Sequence, residues 1–347
     1  MNRRGFIHCT GTALAVPFIS KGAQAPKIKI GQIGLVHAHS RGKLGAIRSL
    51  KDEYELVGVV EPDAGRRKLV SGVKFISEEQ LLGTKGLQVV AVETHVRDLV
   101  PTATRVVATG RHIHLDKPAG PSLPAFKKLV AAAKRQELTI QMGYMLRYNP
   151  AFQFMFRAVR EGWFGDIMEI DAMMGKMAGM GMRKDLAEFS GGGFFELACH
   201  ILDSAVFVLG KPKKIYGINR RTRSVDKDTF ADNQLGVLEY EKATACIRCN
   251  HNDPFGFPRR RFNIAGTKGG MEIHQLESGR FTLNLDRLRG DYKKGSQVIQ
   301  LKSGRSYEAE FADLAKVILG QKKLAWSYEH DLIVHETLLR ICNMPLG

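Results

Sequence analysis

Between residues 28 and 144, short runs of consecutive apolar residues alternate with stretches in which apolar positions recur every three or four residues. The runs Ile28–Leu35, Leu56–Glu61, Val89–Glu93, His112–Asp116 and Leu138–Tyr144 read as strands. Each is apolar almost throughout, as expected of strands covered on both faces. The stretches Leu44–Leu50, Arg66–Val70, Val100–Ala108 and Leu123–Arg135 read as the helices between them. This rhythm predicts a parallel, doubly wound α/β sheet.

After Pro150 the texture changes. One helix is expected over Phe152–Glu161 and another from Gly193 to Leu209. Strand-like runs follow at Lys214–Thr222, Asn233–Tyr240, Thr244–Asn250, Arg261–Ile264, Met271–Ile273 and Phe281–Leu285. Helical stretches at Tyr307–Leu319 and Tyr328–Ile341 end the chain. The pattern predicts an α+β domain with a large open, mostly antiparallel sheet and helices on one face. We expect a leader over residues 1–25, a doubly wound domain over 26–146 and the α+β domain over 147–347. The open sheet face suits a homo-oligomer.

With 347 residues, 44% hydrophobic and 25% charged, the chain is long enough for two cores and fits neither a disordered nor a fibrous class. Its formal net charge is +17. The basic runs Arg220-Arg221 with Arg223, and Arg259-Arg260-Arg261, are short and lack interleaved aromatics. No nucleic-acid partner is expected. The leader carries Arg3-Arg4 before Phe6-Ile7, then an apolar stretch from Gly11 to Ile19, then Ala23-Gln24-Ala25. A basic start, an apolar middle and a small-residue cut make a signal peptide, and the arginine pair resembles a twin-arginine export signal. The apolar stretch falls short of the roughly 20 residues that span a bilayer. Export to the periplasm or exterior, without a membrane anchor, is therefore expected. Cys246 and Cys249 share one strand-like run, so they point to opposite faces about 10 Å apart, too far for a disulfide. Without a second pair for zinc, they read as buried thiols. Cys199 and Cys342 either pair or stay free.

Three places carry candidate chemistry. The first strand runs into Gly34-Leu35-Val36-His37-Ala38-His39. A dinucleotide loop has glycines that permit a tight turn and close approach to the pyrophosphate. Only Gly34 keeps its place; Val36 and His39 stand where the second and third glycines belong. The loop still precedes a helix, whose first amides can face a phosphate. Glu61 closes the second strand, where an acid grips the ribose hydroxyls. His37 and His39 have a known ligand spacing, but no third ligand lies nearby in the sequence, so no metal is expected. The second place is Asp116-Lys117-Pro118 at a strand end, where doubly wound sheets bind ligands. The third is Gly191–Asp203, in which Glu196, His200 and Asp203 share one helical face amid apolar neighbours. An acid and a histidine on a buried helix suit proton transfer from an alcohol.

Together these motifs resemble the glucose–fructose oxidoreductase / inositol dehydrogenase / rhizopine catabolism family, Gfo/Idh/MocA. Asp116-Lys117-Pro118 stands for the family's E-K-P, Gly191 to Asp203 for its glycine-led acid–histidine helix, and Arg147-Tyr148-Asn149-Pro150 for its R-x-x-P. Gly266-Thr267-Lys268-Gly269 matches a late turn. Glu93-Thr94-His95 departs from the usual T-P-x-H run. The resemblance implies a Rossmann domain holding NAD or NADP, NAD favoured by Glu61, with contacts from Gly34, Val36, His37, His39, Glu61, Thr94, His95, Asp116 and Lys117. It implies a sugar or polyol substrate touched by Arg147, Tyr148 and Asp203. His200 would take the hydroxyl proton, Lys117 would stabilise the alkoxide, and Glu196 would hold a neighbouring hydroxyl or orient His200. Two alternatives use the same residues. One is an exported lyase or glycosidase that oxidises its sugar transiently with tightly held NAD; the other is a nucleotide- or sugar-binding homologue with weak catalysis.

Overall fold

The computed structural model describes residues 27–223, 228–302 and 307–347. The leader, with Arg3, Arg4 and Cys9, lies outside the described residues. The first half is built from β1 (Ile28–Ile33), α1 (Ser40–Ser49), β2 (Tyr54–Val60), α2 (Ala64–Arg67), α3 (Glu78–Leu82), β3 (Leu87–Val92), α4 (Val96–Ala108), β4 (His112–Leu115), α5 (Leu123–Arg135) and β5 (Ile140–Met142). The five strands form one parallel sheet in the order β2-β1-β3-β4-β5. The order reverses between β1 and β3, so a crevice opens beyond their carboxyl ends. The expected doubly wound sheet is present. Helix α3 escaped the sequence reading, although Ser77 and Gln80 form a reciprocal capping box at its start.

A 3-10 turn (Met145–Tyr148) leads into α6 (Pro150–Arg160), where Asn149 caps the first turn and Pro150 takes the position that needs no N–H. The second sheet contains β6 (Ile167–Gly175), β7 (Lys214–Arg220), β8 (Asn233–Glu239), β9 (Thr244–Asn250), β10 (Arg261–Gly266), β11 (Gly269–His274), β12 (Arg280–Leu285) and β13 (Gly295–Gln300). Its order is β13-β12-β11-β10-β6-β9-β8-β7. Every pairing is antiparallel except β6 with β9. Between β6 and β7 come α7 (Met180–Leu186), a π-helical turn (Phe194–Ala198) and α8 (Cys199–Leu209). The chain closes with α9 (Glu308–Ile318) and α10 (Tyr328–Ile341).

The inner face of this sheet packs on α6 through aromatic contacts. Phe152 meets Phe262 at 5.3 Å between ring centres, and Phe154 meets Phe281 at 4.8 Å. Such pairs add about 0.5–1.5 kcal/mol each beyond their burial. The other face keeps Met168, Tyr216, Ile218 and Val298 exposed. The expected division into 26–146 and 147–347 misses one feature of the packing. Phe311, Leu314 and Ala315 of α9 are buried against Ile28, Ile30, Ile47 and Tyr54 of the first sheet and its first helix. The Tyr54 hydroxyl donates to the Phe311 carbonyl at 2.7 Å. Apolar residues on one face of α9 therefore complete the nucleotide-side core. The cysteines Cys199, Cys246, Cys249 and Cys342 are free thiols; Cys246 is half-buried and the other three are buried.

Candidate active site

A cavity of about 630 Å³ opens at the switch point, lined by Gly34, Val36, Glu61, Arg66, Thr94 and His95 among others. Gly34 has φ +96°, and a Cβ there would lie 2.6 Å from the Glu93 carbonyl oxygen. Only glycine permits both the turn and the contact. The Glu61 carboxylate is almost fully buried and accepts the N–H groups of Leu35 (2.8 Å) and Asp63 (2.9 Å). It braces the phosphate loop as well as lining the cavity. These residues fit the adenosine and pyrophosphate parts of a dinucleotide.

His37, His39, Asp116 and Lys117, expected to contact the cofactor, do not line this cavity. They belong to a buried polar cluster beside it. Asp116 lies just beyond β4, and its Oδ2 is 2.8 Å from His37 Nδ1 and 2.9 Å from Lys43 Nζ. Its Oδ1 is 3.2 Å from His39 Nδ1 and accepts the Lys117 N–H at 2.7 Å. Lys43 also reaches Glu93 at 3.4 Å. His114 bridges Glu93 (3.7 Å) and Glu310 of α9 (2.9 Å). Side chains from five segments thus meet in one water-poor pocket. The local sequence supplies the groups: beyond Gly34 the loop has no glycine, and its imidazoles fold inward onto the strand-end carboxylate. Burial, only partly opposed by Asp116, pushes His39 down to about 4.

Lys117 and Glu196 are brought together as a buried pair. The Lys117 ammonium donates to the Glu196 carbonyl at 2.6 Å and lies 3.5 Å from its carboxylate. Burial alone would push this lysine down, but the Glu196 carboxylate overrides it and holds the lysine above its ordinary value. Glu196 in turn meets Lys176 at 2.9 Å and His251 at 3.3 Å. Burial would push its carboxyl up, but Lys117, Lys176 and His251 hold it well below the usual range. Glu196 therefore positions two lysines and is not paired with His200. It lies on the π-helical turn, so the regular i, i+4 stacking with His200 is broken. His200 is buried between His39 (5.7 Å between ring centres) and Tyr144 (6.0 Å), and its Nδ1 has no hydrogen-bond partner. Burial, helped by Lys117 and His39, holds its imidazole neutral. A neutral imidazole beside an ammonium can take a proton from a hydroxyl whose oxygen the ammonium polarises.

Arg147, Tyr148 and Asp203 do not form a substrate surface. Arg147 is buried and grips Asp203 with two hydrogen bonds, at 3.0 and 2.6 Å, and Asp331 of α10 at 2.5 Å. His330 adds a 2.8 Å contact to Asp203. The Tyr148 hydroxyl accepts from Gln141 at 2.7 Å and donates to Asp313 at 3.2 Å. These side chains clamp the interdomain turn to α8, α9 and α10. Lys176 and His251 escaped the sequence reading. They follow β6 and β9, whose parallel pairing brings both to one sheet end; a charged residue just past a strand was the signal available.

A dinucleotide fold whose crevice abuts a lysine, a neutral histidine and a carboxylate belongs to the two-domain nucleotide-dependent oxidoreductases. Residues 28–144 match the oxidoreductase family with an NAD-binding Rossmann fold, and residues 152–272 match the GFO/IDH/MocA C-terminal domain. The chain belongs to the Gfo/Idh/MocA family. It is 23% identical over 265 residues to the uncharacterised oxidoreductase YhhX of Escherichia coli K12, covering 75% of each chain. It is 23% identical over 263 residues to the NAD(+)-dependent scyllo-inositol 2-dehydrogenase of Bacillus subtilis 168, covering 73% of this chain and 74% of the relative. Levoglucosan dehydrogenase, solved with NADH and levoglucosan, superposes with a TM-score of 0.78 at 14% identity, over 92% of this chain and 98% of that one. That last likeness shows the shared fold.

Proposed function

We propose that this protein moves hydride between a nicotinamide cofactor and a hydroxyl of a sugar or polyol. The observation that carries the reading is the buried Lys117–Glu196 pair with neutral His200 beside it, next to the nucleotide cavity. Gly34, Val36, Glu61, Thr94 and His95 would hold the cofactor, which supplies the hydride chemistry when bound. His200 accepts the hydroxyl proton. Lys117 stabilises the negative charge that develops on the oxygen. Glu196 positions Lys117 and Lys176 through charge and hydrogen bonds. The dehydrogenase named for scyllo-inositol among the relatives supports a polyol class.

The test is to purify the mature protein, load it with nucleotide and add single sugars and polyols. Net appearance of reduced-nicotinamide absorbance supports the reading. Release of an aglycone with no net reduction, or no change across a broad panel, overturns it. NAD is the proposed cofactor, because a carboxylate at the Glu61 position repels a 2′-phosphate. Calorimetry should show NAD bound at least about tenfold more tightly than NADP, a difference of about 1.4 kcal/mol; the reverse order would reassign the cofactor.

Export by the twin-arginine route is part of the same reading, supported by the Arg3-Arg4 pair and the apolar stretch behind it. Replacing both arginines by lysine should leave the protein in the cytosol, because the export receptor reads the pair. Normal export of that variant, followed by cell fractionation and blotting, would remove this element.

A further inference from the structure

We propose that two loops at one end of the second sheet form a docking surface for a bilayer of anionic phospholipids. The loops follow β6 and β9, whose parallel pairing starts them from the same sheet end. A bridge between Met177 and Asn252, and the Ala178 N–H given to the His251 carbonyl at 2.8 Å, fasten them side by side. Met177, Met180 and Met182 stand on the first loop and the start of α7, Phe255 and Phe257 on the second. These five are between 37% and 71% exposed, out of twelve large apolar side chains exposed among the described residues. Single exposed apolar residues are ordinary, whereas a group of this kind marks a binding surface.

The exposure is built into the backbone. Pro254 and Pro258 bracket Phe255-Gly256-Phe257. Asp253 turns the loop, its carboxylate accepting the Phe255 N–H at 2.9 Å and its carbonyl the Gly256 N–H at 3.1 Å. Gly256 presses so closely on the first loop that a Cβ there would lie 2.6 Å from the Gly175 carbonyl carbon. The turn is pinned at its centre, and the rings on either side of Gly256 stay at the surface.

Charge identifies the occupant. Buried Asp232 gathers the neighbouring segments. Its carboxylate accepts from the Arg183 guanidinium of α7 (2.9 Å) and from the N–H groups of Thr222 (2.7 Å) and Arg223 (3.2 Å). Its carbonyl accepts the His251 N–H at 2.7 Å. Asn252 also reaches the Thr222 hydroxyl at 3.5 Å. Exposed Lys184, Arg221 and Arg259 and half-buried Arg223 thereby surround the apolar loops. Nearby acids are largely engaged: Asp228 and Asp232 hold Arg183, and buried Asp253 holds Arg259. The two short basic runs of the sequence thus converge on one aromatic loop. A second copy seated on this face would set like charges against one another, on a chain already at +17. Three of the five apolar side chains are methionines, which have no ring to stack on a nucleic-acid base. A bilayer takes both kinds of side chain at its acyl boundary and meets the basic rim with its headgroups. This is reversible surface contact, distinct from a spanning anchor, and it does not depend on the proposed hydride chemistry.

The experiment uses the mature protein, free of the leader, whose own apolar stretch would bind lipid. It is sedimented with vesicles of phosphatidylcholine alone or of an equal mixture with phosphatidylglycerol. Binding should be at least about tenfold stronger to the anionic vesicles and should weaken at high salt, which screens surface charge. Phe255→Ser with Phe257→Ser should weaken it by at least about tenfold, through lost apolar burial. Lys184→Gln with Arg221→Gln should weaken it by about as much and flatten its salt dependence. All four positions are exposed, so the variants should fold, as melting curves would check. If a paired variant fails to fold, the single Phe255→Ser change, at the most exposed ring, carries the test. Equal binding to both vesicle types, or unchanged binding by both folded variants, overturns the proposal. So does a dimer without lipid binding that the phenylalanine variant abolishes, or tighter binding to a single-stranded oligonucleotide than to anionic vesicles. Sugar turnover in solution should be unaltered in both variants, so failure of the docking surface and failure of the proposed function are separate results.

Discussion

Lys117→Ala and His200→Ala should each lower turnover by about two to four orders of magnitude, the range for losing an oxyanion partner or a general base. The two changes act on one developing charge. Lys117 approaches the oxygen with an ammonium that Glu196 keeps protonated, and His200 receives the proton while neutral. The double variant should therefore be little worse than the poorer single one, since members of a working unit do not add. Nucleotide binding should survive in all three, because Gly34, Glu61 and Thr94 line the cavity without help from either residue. The measurement is single-turnover kinetics alongside nucleotide calorimetry. Near-normal turnover in both single variants would remove the assignment. Losing nucleotide binding together with turnover would instead show that Lys117 shapes the cofactor pocket.

Arg147→Met should cost about 3–5 kcal/mol of folding stability at neutral pH, the effect of removing one partner from a buried ion network. The side chains of Arg147, Asp203 and Asp331 are all 2% exposed or less, so the two carboxylates would be left without their main cation. Their acidities give the loss a pH signature. Burial would push Asp203 up, but Arg147 and His330 hold it below the ordinary carboxylate range. Its contribution in the native protein is complete above the unfolded value of about 3.9 and is lost as pH falls through the lower folded value. Asp331 runs the other way, since burial outweighs Arg147 and holds its carboxyl up. In the variant both carboxyls should rise, and protonation then relieves the uncompensated charge. The stability gap between the two proteins should accordingly narrow between about pH 7 and about pH 4. Urea titrations across that range would show it; a gap that widens on acidification would contradict this account of the clamp.

The parallel sheet was legible because its strands are mostly buried and leave short, largely apolar runs, with a polar residue in each that did not break the pattern. Strand β6 was not, although it lies in the middle of its sheet. Glu169 and Asp171 interrupt it, and its last four residues are buried in succession, so neither alternation nor a clean run survives. Edge strand β13 has no buried residue and thus no hydrophobic signal. In the site, Lys117, Glu196 and His200 stood out as polar groups set among apolar ones. Sequence could not say what each would face. Arg147 reads as a ligand-reaching arginine until Asp331, 184 residues away, is seen to meet it. The same distance effect hid Asp116 from the two histidines. Loop composition announces which donors are present, while strand order decides which of them converge.

The return of α9 to the first sheet sets the order of assembly. On the ribosome, Ile28, Ile30, Ile47 and Tyr54 emerge early, but the apolar surface that covers them, Phe311 with Leu314 and Ala315, is made only in the last stretch of synthesis. The nucleotide half is first to be translated and among the last to be closed. Until then it presents greasy strand and helix surface to the cell. A fragment ending at residue 146 would keep that surface permanently, so the two halves of this protein are separable in architecture and inseparable in biogenesis.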